Sequence, residues 1–177
     1  LSLTNFEVKN MFRRMIQSWF GKASVRYNDF IKALLSDDVD YMNQYMNQVA
    51  MQTFSFFDTG KKTTDQEEPE RFYHGFVLGL MVELADQYRI TSNRESGLGR
   101  YDIILEPLGR DKMAYVIEFK VHKAKREKDL SETADNALRQ IVEKNYDAEL
   151  LSRGIPKDNI CHLGFAFYGK TVLIEQG

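Results

Sequence analysis

The chain has 177 residues, enough for one domain whose core needs no disulfide or structural metal. Its 43% hydrophobic and 28% charged residues exclude wholesale disorder, and its net charge of −2 excludes a generally basic protein that coats nucleic acid. The only cysteine, Cys161, excludes an internal disulfide and a zinc site built from several cysteines. A lone cysteine is typical of a reducing compartment. The sequence has no run of 18 or more apolar residues, so no membrane span is predicted, and we expect a cytoplasmic protein.

The first third of the chain is predicted to be helical. Apolar side chains recur every three to four residues over 5–20, 28–35 and 37–57. The segment 58–70 then has no apolar residue and predicts an exposed linker. We therefore expect a helical segment at 1–66, the tail of a preceding region in a longer protein, and a separate domain at 67–177.

The remainder of the chain mixes helices with strands. A segment that begins near Pro69 and runs to about residue 87 is apolar nearly all round, which predicts a helix buried against a sheet. A second helix is predicted at 131–146 with Ser131 as its N-cap, followed by a helical turn at 147–151. Strands are predicted at 88–93, 100–106, 114–122, 160–168 and 171–175. This order predicts an α/β fold with a central mixed sheet flanked by helices.

The second and third predicted strands form a hairpin that carries charges where a buried strand should have none. In this hairpin Asp102 is expected opposite Glu118, and the strand period of two puts Lys120 on the same face. Two facing carboxylates repel each other unless a cation lies between them. Magnesium prefers oxygen ligands, so Asp102, Glu118 and the backbone carbonyl of Phe119 are candidate metal ligands, with Lys120 placed to orient or deprotonate a water. The alternative is a set of solvated charges on an exposed sheet face.

Two other chemistries are disfavoured. Residues 164–171 fit the letter of the phosphate-binding pattern G-x4-G-K-[ST], but the middle residues are strand formers and no helix follows, so we expect a hairpin turn at Gly169 and Lys170. Zinc chemistry and covalent acyl transfer have no support, because neither metal-ligand spacing nor a nucleophile context surrounds His74, His122, His162 or Cys161.

The hairpin also carries a resemblance to a known family. The blocks Gly99-Arg100-Tyr101-Asp102-Ile103 and Val116-Ile117-Glu118-Phe119-Lys120 resemble the core of the PD-(D/E)XK nuclease superfamily. More narrowly, the region from Phe72-Tyr73-His74-Gly75 through residues 92–97 to Lys120 is similar to the nuclease-like domain at the C-terminal end of bacterial AAA-ATPase-like proteins. The resemblance covers residues 71–177. It implies a restriction-endonuclease-like fold, and an ATPase domain on the N-terminal side of the full-length protein.

The resemblance implies a role for each matching residue. Asp102 and Glu118 match the metal-binding acids of the superfamily, and Lys120 matches its catalytic lysine. Gln140 matches the polar residue that often lies on the following helix. Tyr101 stands where the classical pattern has a proline.

The helix before the sheet often supplies one more acid in this superfamily. Glu70, His74 and Glu83 compete for that position in this chain. His74 matches the Tyr-His pair of the narrower family and is therefore included among the candidate catalytic residues.

A run of basic residues follows the lysine directly. Its members are candidates for binding a phosphate backbone, together with two basic residues expected nearby. The alternative is a solvated loop, because Glu127 and Asp129 interrupt the run. The residues in question are Lys123, Lys125, Arg126 and Lys128, with Arg100 and Lys144 nearby.

The resemblance implies a nuclease that uses Mg²⁺ or Mn²⁺ to hydrolyse phosphodiester bonds in DNA, with RNA as the second candidate substrate. The alternative is a catalytically inactive module that binds nucleic acid or regulates an AAA-ATPase-like protein, because a fold does not guarantee its chemistry. A third interpretation makes the helical first third a protein-interaction surface.

Overall fold

A computed structural model describes residues 29–53, 67–109 and 112–177. Its strands are β1 Tyr88–Ser96, β2 Gly99–Pro107, β3 Ala114–Val121, β4 Ile160–Tyr168 and β5 Thr171–Gln176. Its α-helices are α1 Asp29–Leu35, α2 Val39–Thr53, α3 Glu67–Leu80, α4 Leu130–Glu143 and α5 Ala148–Ser152. Two 3-10 helices cover Met81–Asp86 and Lys157–Asn159. None of the helices in these residues is long and apolar enough to cross a bilayer.

The five strands form one mixed sheet in chain order. β1, β2 and β3 make an antiparallel meander, and the crossover through α4 then brings β4 parallel to β3. β5 pairs antiparallel with β4 through a tight turn in which Gly169 has a φ of 58°. The mixed sheet with its flanking helices confirms the predicted fold class. The turn at Gly169 confirms a hairpin in place of a phosphate-binding loop.

Helices cover both faces of the sheet, which is why β3 is apolar on both sides. On one face, α1, α2 and α3 share a core with side chains from all five strands, including Phe30, Val49, Phe165 and Ile174. On the other face, α4 and α5 enclose a smaller cluster around Tyr101, Ile104, Ile141, Tyr146 and Leu150. The helices α1 and α2 therefore contribute to the same core as the sheet, and the division at residue 66 stays a prediction.

The predicted elements are present, with differences at their ends. The predicted N-cap Ser131 is wrong, because α4 begins one residue earlier with Asp129 as its cap, whose carboxylate accepts a hydrogen bond from the Glu132 N–H at 3.0 Å. The Ser131 hydroxyl instead donates to Glu175 at 2.7 Å. α3 already begins at Glu67, within the predicted linker, and gives way to 3-10 geometry after Leu80. The helix predicted at 5–20 and the linker residues 58–66 lie outside the described residues.

Candidate active site

The candidate site lies where the hairpin of β2 and β3 opens. β2 pairs with β3 only from Ile103 to Leu105, and the pairing of β1 with β2 skips the position where Asn93 faces Asp102. Asn93 has a φ of 52°, a left-handed conformation that Asn tolerates better than most residues and that kinks β1 at this point. The Asp102 carboxylate occupies the resulting gap, where its Oδ2 accepts a hydrogen bond from the Phe119 N–H at 2.8 Å.

Three polar side chains converge beside Asp102. The Lys120 Nζ lies 3.3 Å from Oε1 of Glu118 and donates to Oε1 of Gln140 at 2.5 Å. The Gln140 Nε2 donates to the same Glu118 oxygen. The structure thus brings together Asp102 and Glu118 from the hairpin, Lys120 two residues beyond Glu118, and Gln140 from α4.

The electrostatics of this group are dominated by burial. Burial raises the pKa of Asp102 above its usual 3.8, although the hydrogen bond from Phe119, the charges of His74 and Lys120 and a hydrogen bond with Glu118 act in the opposite direction. Glu118 is only 3% exposed and lies within hydrogen-bonding reach of Asp102. Burial thus disfavours the negative charge of Asp102, a cost that a bound cation would offset.

Comparison with known proteins identifies the family of this chain. A family model of the PD-(D/E)XK nuclease superfamily matches residues 68–177, more than half of the chain. The chain belongs to the PD-(D/E)XK nuclease superfamily. No curated protein and no solved structure gives a significant match. The superfamily assignment supports a nuclease with a nucleic-acid substrate and goes with the restriction-endonuclease-like arrangement of the sheet and its helices.

PD-(D/E)XK nucleases generally use divalent metal ions, and the donor set of this chain fits one. Within the described ranges, no three His, Cys, Asp or Glu side chains come together as metal ligands, so the candidate set is two carboxylates and backbone. The Phe119 N–H points toward β2, where it donates to Asp102. Because the N–H and C=O of one strand residue point to the same side, the Phe119 carbonyl also faces β2. Mg²⁺ is often held by one or two carboxylates while it keeps several waters.

Of the residues that compete for the helix position, the structure places His74 beside Asp102. The His74 Nε2 lies 3.3 Å from the backbone oxygen of Asp102 and 3.3 Å from Nδ2 of Asn93. The His74 ring also meets Phe119 edge-on, with 5.7 Å between the centroids. Glu83 lies in the 3-10 helix after α3, and the side chain of Glu70 lies outside the described part of the chain. The catalytic role of His74 stays a prediction.

Sequence reasoning missed Tyr146, which lies next to Gln140. The Tyr146 hydroxyl donates to the backbone oxygen of Arg100 at 2.7 Å and lies 3.0 Å from Nε2 of Gln140. Burial raises the pKa of Tyr146 above its usual 10.0, to which the charges of Glu118 and Asp102 add, although the bond to Gln140 opposes them; the hydroxyl therefore keeps its proton. The only sequence signal was a tyrosine at the last residue of a predicted helix, which does not indicate a contact with the site.

The candidate phosphate-binding residues lie at the end of the sheet where β2 begins and β3 ends, beside Asp102 and Lys120. The loop after β3 exposes Lys123, Lys125 and Arg126, and together with His122 and Tyr168 it borders a groove of about 480 Å³. At the same end, the β1–β2 turn packs against the end of α4, where the Leu98 N–H donates to the Lys144 backbone oxygen at 2.7 Å. Arg100 and Lys144 are exposed there.

Proposed function

We propose that this chain hydrolyses phosphodiester bonds in DNA with Mg²⁺ or Mn²⁺ held at Asp102 and Glu118. The observation that carries this proposal is the convergence of Glu118, Lys120 and Gln140 beside Asp102, at the point where β2 leaves β3. Solvated charges on an exposed sheet face would not explain a carboxylate that is 3% exposed. Burying a charge is costly unless it is paired or binds a metal, and such groups are often found at functional sites.

Each side chain has a chemical task in this proposal. Asp102, Glu118 and the Phe119 carbonyl would hold the metal ion, which when bound stabilises negative charge on the phosphate and lowers the pKa of a coordinated water. The Lys120 ammonium has one donor beyond those directed at Glu118 and Gln140 for orienting the attacking water, and its side chain is 29% exposed, so solvent reaches it. Gln140 contacts both Lys120 and Glu118 and would hold them in the reactive geometry.

The charge distribution favours a substrate with a phosphate backbone, for which DNA is the first candidate. Basic side chains lie around the candidate site although the whole chain has a net charge of −2, so positive charge is concentrated where a phosphate backbone would need it. RNA remains the second candidate substrate. The two substrates are distinguished by assaying cleavage of the same sequence made once as a DNA and once as an RNA oligonucleotide.

The test is cleavage of labelled DNA by purified protein with Mg²⁺ or Mn²⁺. Glu118→Gln and Lys120→Ala should each lower the rate by about a hundredfold or more, because each removes a group that acts on the reacting atoms. The matched controls are Asp158→Asn and Lys157→Ala, exposed residues before β4 at the other end of the sheet, which should keep the wild-type rate. Cleavage that survives both site substitutions would refute the assignment.

A second candidate function follows from the small number of acidic side chains at the site. Only two carboxylates meet in the described part of the site. Such a site is also compatible with an inactive module that binds nucleic acid or regulates an AAA-ATPase-like protein. Calorimetric titration with Mn²⁺ separates the two functions. Binding that is lost in Asp102→Asn and Glu118→Gln supports the nuclease, whereas DNA binding without any metal binding supports the inactive module, with an ATPase domain on its N-terminal side.

A further inference from the structure

We propose that Tyr146 is a positioning residue of this site, which sets the orientation of the Gln140 amide and, through it, the positions of Lys120 and Glu118. Tyr146 is 1% exposed, and its hydroxyl oxygen lies 3.0 Å from Nε2 of Gln140. The kinetic part of this inference rests on the proposed nuclease function.

The hydrogen bonds of Tyr146 determine which atom donates and which atom accepts in each bond of this network. The backbone oxygen of Arg100 can only accept, so the Tyr146 hydroxyl must donate to it at 2.7 Å. The hydroxyl oxygen can then only accept from Gln140 at 3.0 Å, which requires the NH₂ group of the amide on that side. The amide oxygen therefore faces Lys120, whose ammonium can only donate.

Tyr146 is anchored independently of the groups that it positions. Its backbone oxygen accepts a hydrogen bond from the Ser96 hydroxyl at 2.9 Å, and its ring meets Tyr101 edge-on with 6.3 Å between centroids. A Cβ on Gly99 would lie 3.2 Å from Cε1 of Tyr146, so the lack of a side chain at Gly99 leaves room for the ring. The turn at Asn145, with a φ of 53°, brings Tyr146 back under α4.

This independence gives Tyr146 a role that Glu118 and Lys120 cannot fill for themselves. Both of those side chains also contact Gln140, but in the proposed reaction they engage the metal ion and the attacking water. The bond from Tyr146 to the Arg100 carbonyl is not used in the reaction. Gln140 therefore keeps one fixed partner while its other two partners are occupied.

The test is Tyr146→Phe, which removes one oxygen and keeps the buried ring. We expect the kcat for DNA cleavage to fall about tenfold with KM within about twofold, because one hydrogen bond of ordinary strength is lost from the positioning of the reacting groups. The matched control is Tyr101→Phe, which removes a buried hydroxyl from the same cluster, bonded to Thr91 at 2.7 Å. This control should keep the wild-type kcat within about twofold.

A double-mutant cycle separates positioning from general stability. If Tyr146 acts through Gln140, Tyr146→Phe should have no further effect on kcat in a Gln140→Ala background. Independent, multiplicative losses would overturn the inference, as would equal effects of Tyr146→Phe and Tyr101→Phe.

A second measurement does not require the protein to be a nuclease. In the NMR spectrum of the metal-free protein, the Gln140 side-chain amide proton that is bonded to Tyr146 should be protected from exchange with solvent. Tyr146→Phe should remove the protection of that proton, whereas Tyr101→Phe should leave it intact. Unchanged Gln140 signals in Tyr146→Phe would overturn the inference, whereas failure of Glu118→Gln to abolish cleavage would overturn only the proposed nuclease function.

Discussion

Glu127 organises the loop that carries the basic residues. Its Oε2 accepts hydrogen bonds from the Lys123 N–H at 2.7 Å and from the Thr133 hydroxyl at 2.9 Å, and its Oε1 accepts from Asn136 at 3.3 Å. The His122 Nδ1 lies 3.4 Å from the same Oε2. The acid that interrupts the basic run in the sequence therefore ties the loop to α4, and the exposed lysines project from an ordered turn.

Replacing this carboxylate should destabilise the protein in a pH-dependent way. Burial alone would raise the pKa of Glu127, but the hydrogen bonds from Lys123, Thr133 and Asn136 and the charge of His122 outweigh it and lower the pKa below 4.5. A lowered acid pKa adds stability above the unfolded value, and this contribution disappears as the pH falls through the folded value. Glu127→Gln should cost about 1–2 kcal/mol near neutral pH in urea unfolding, and this difference should shrink at acid pH.

Glu143→Gln is the control for this experiment, because Glu143 is an exposed acid at the end of α4. It should change the free energy of unfolding by less than about 0.5 kcal/mol. A loss in Glu127→Gln that is as large below the pKa as at neutral pH would show that shape, and not charge, accounts for the effect.

At the level of single residues, the sequence was enough to place Glu118 and Lys120 together, because the strand period puts them on one face. It also placed Asp102 opposite Glu118. It could not predict that the Asp102 side chain accepts from the Phe119 N–H, since this depends on the left-handed kink at Asn93, which opens the hairpin. Tyr146 was missed because its contact with Gln140 depends on a chain reversal at Asn145, which no periodic pattern encodes.

At the level of elements, α2 protects the outer edge of the sheet. Asn43 donates to the Ile174 oxygen at 2.8 Å and accepts from the Ile174 N–H at 2.7 Å. One helical turn later, Asn47 makes the same pair of bonds with Val172 at 2.7 and 3.0 Å. The two amide side chains thus take the place of a neighbouring strand, and backbone groups of β5 that could pair with another chain are satisfied.

Removing both amides should expose this edge. Asn43→Ala combined with Asn47→Ala should lower the free energy of unfolding by about 2–4 kcal/mol, because four hydrogen bonds with β5 are lost. The freed edge should also promote self-association that increases with concentration. Denaturant unfolding and sedimentation velocity measure the two effects.

The same helix supplies the control. Gln44→Ala combined with Gln48→Ala removes two amides from exposed positions of α2 and should change neither stability nor association. If the asparagine and glutamine double variants behave alike, the contacts with β5 do not protect the edge.

At the scale of the whole molecule, the first helices and the sheet share one core. Phe30, Leu34, Met46 and Val49 are each 1% exposed or less. The Tyr115 hydroxyl of β3 donates to the Leu34 backbone oxygen at 3.1 Å. The mixed sheet was predictable from the order of periodic patterns, but this docking was not, because the polar segment at 58–70 has the composition of a linker between separate units.

The shared core predicts the outcome of cutting the chain at the proposed division. Burial of one large apolar side chain contributes about 1.5–3 kcal/mol, so losing Phe30, Leu34, Met46 and Val49 together would remove most of the about 5–15 kcal/mol by which a domain is stable. The fragment 67–177 should therefore lack a cooperative thermal transition in calorimetry. The fragment 29–177 retains α1 and α2 and should unfold cooperatively, as we expect of the full chain. A cooperative transition of 67–177 at a temperature near that of the full chain would instead establish residues 67–177 as an independent domain. In that case α1 and α2 would not be required for its folding.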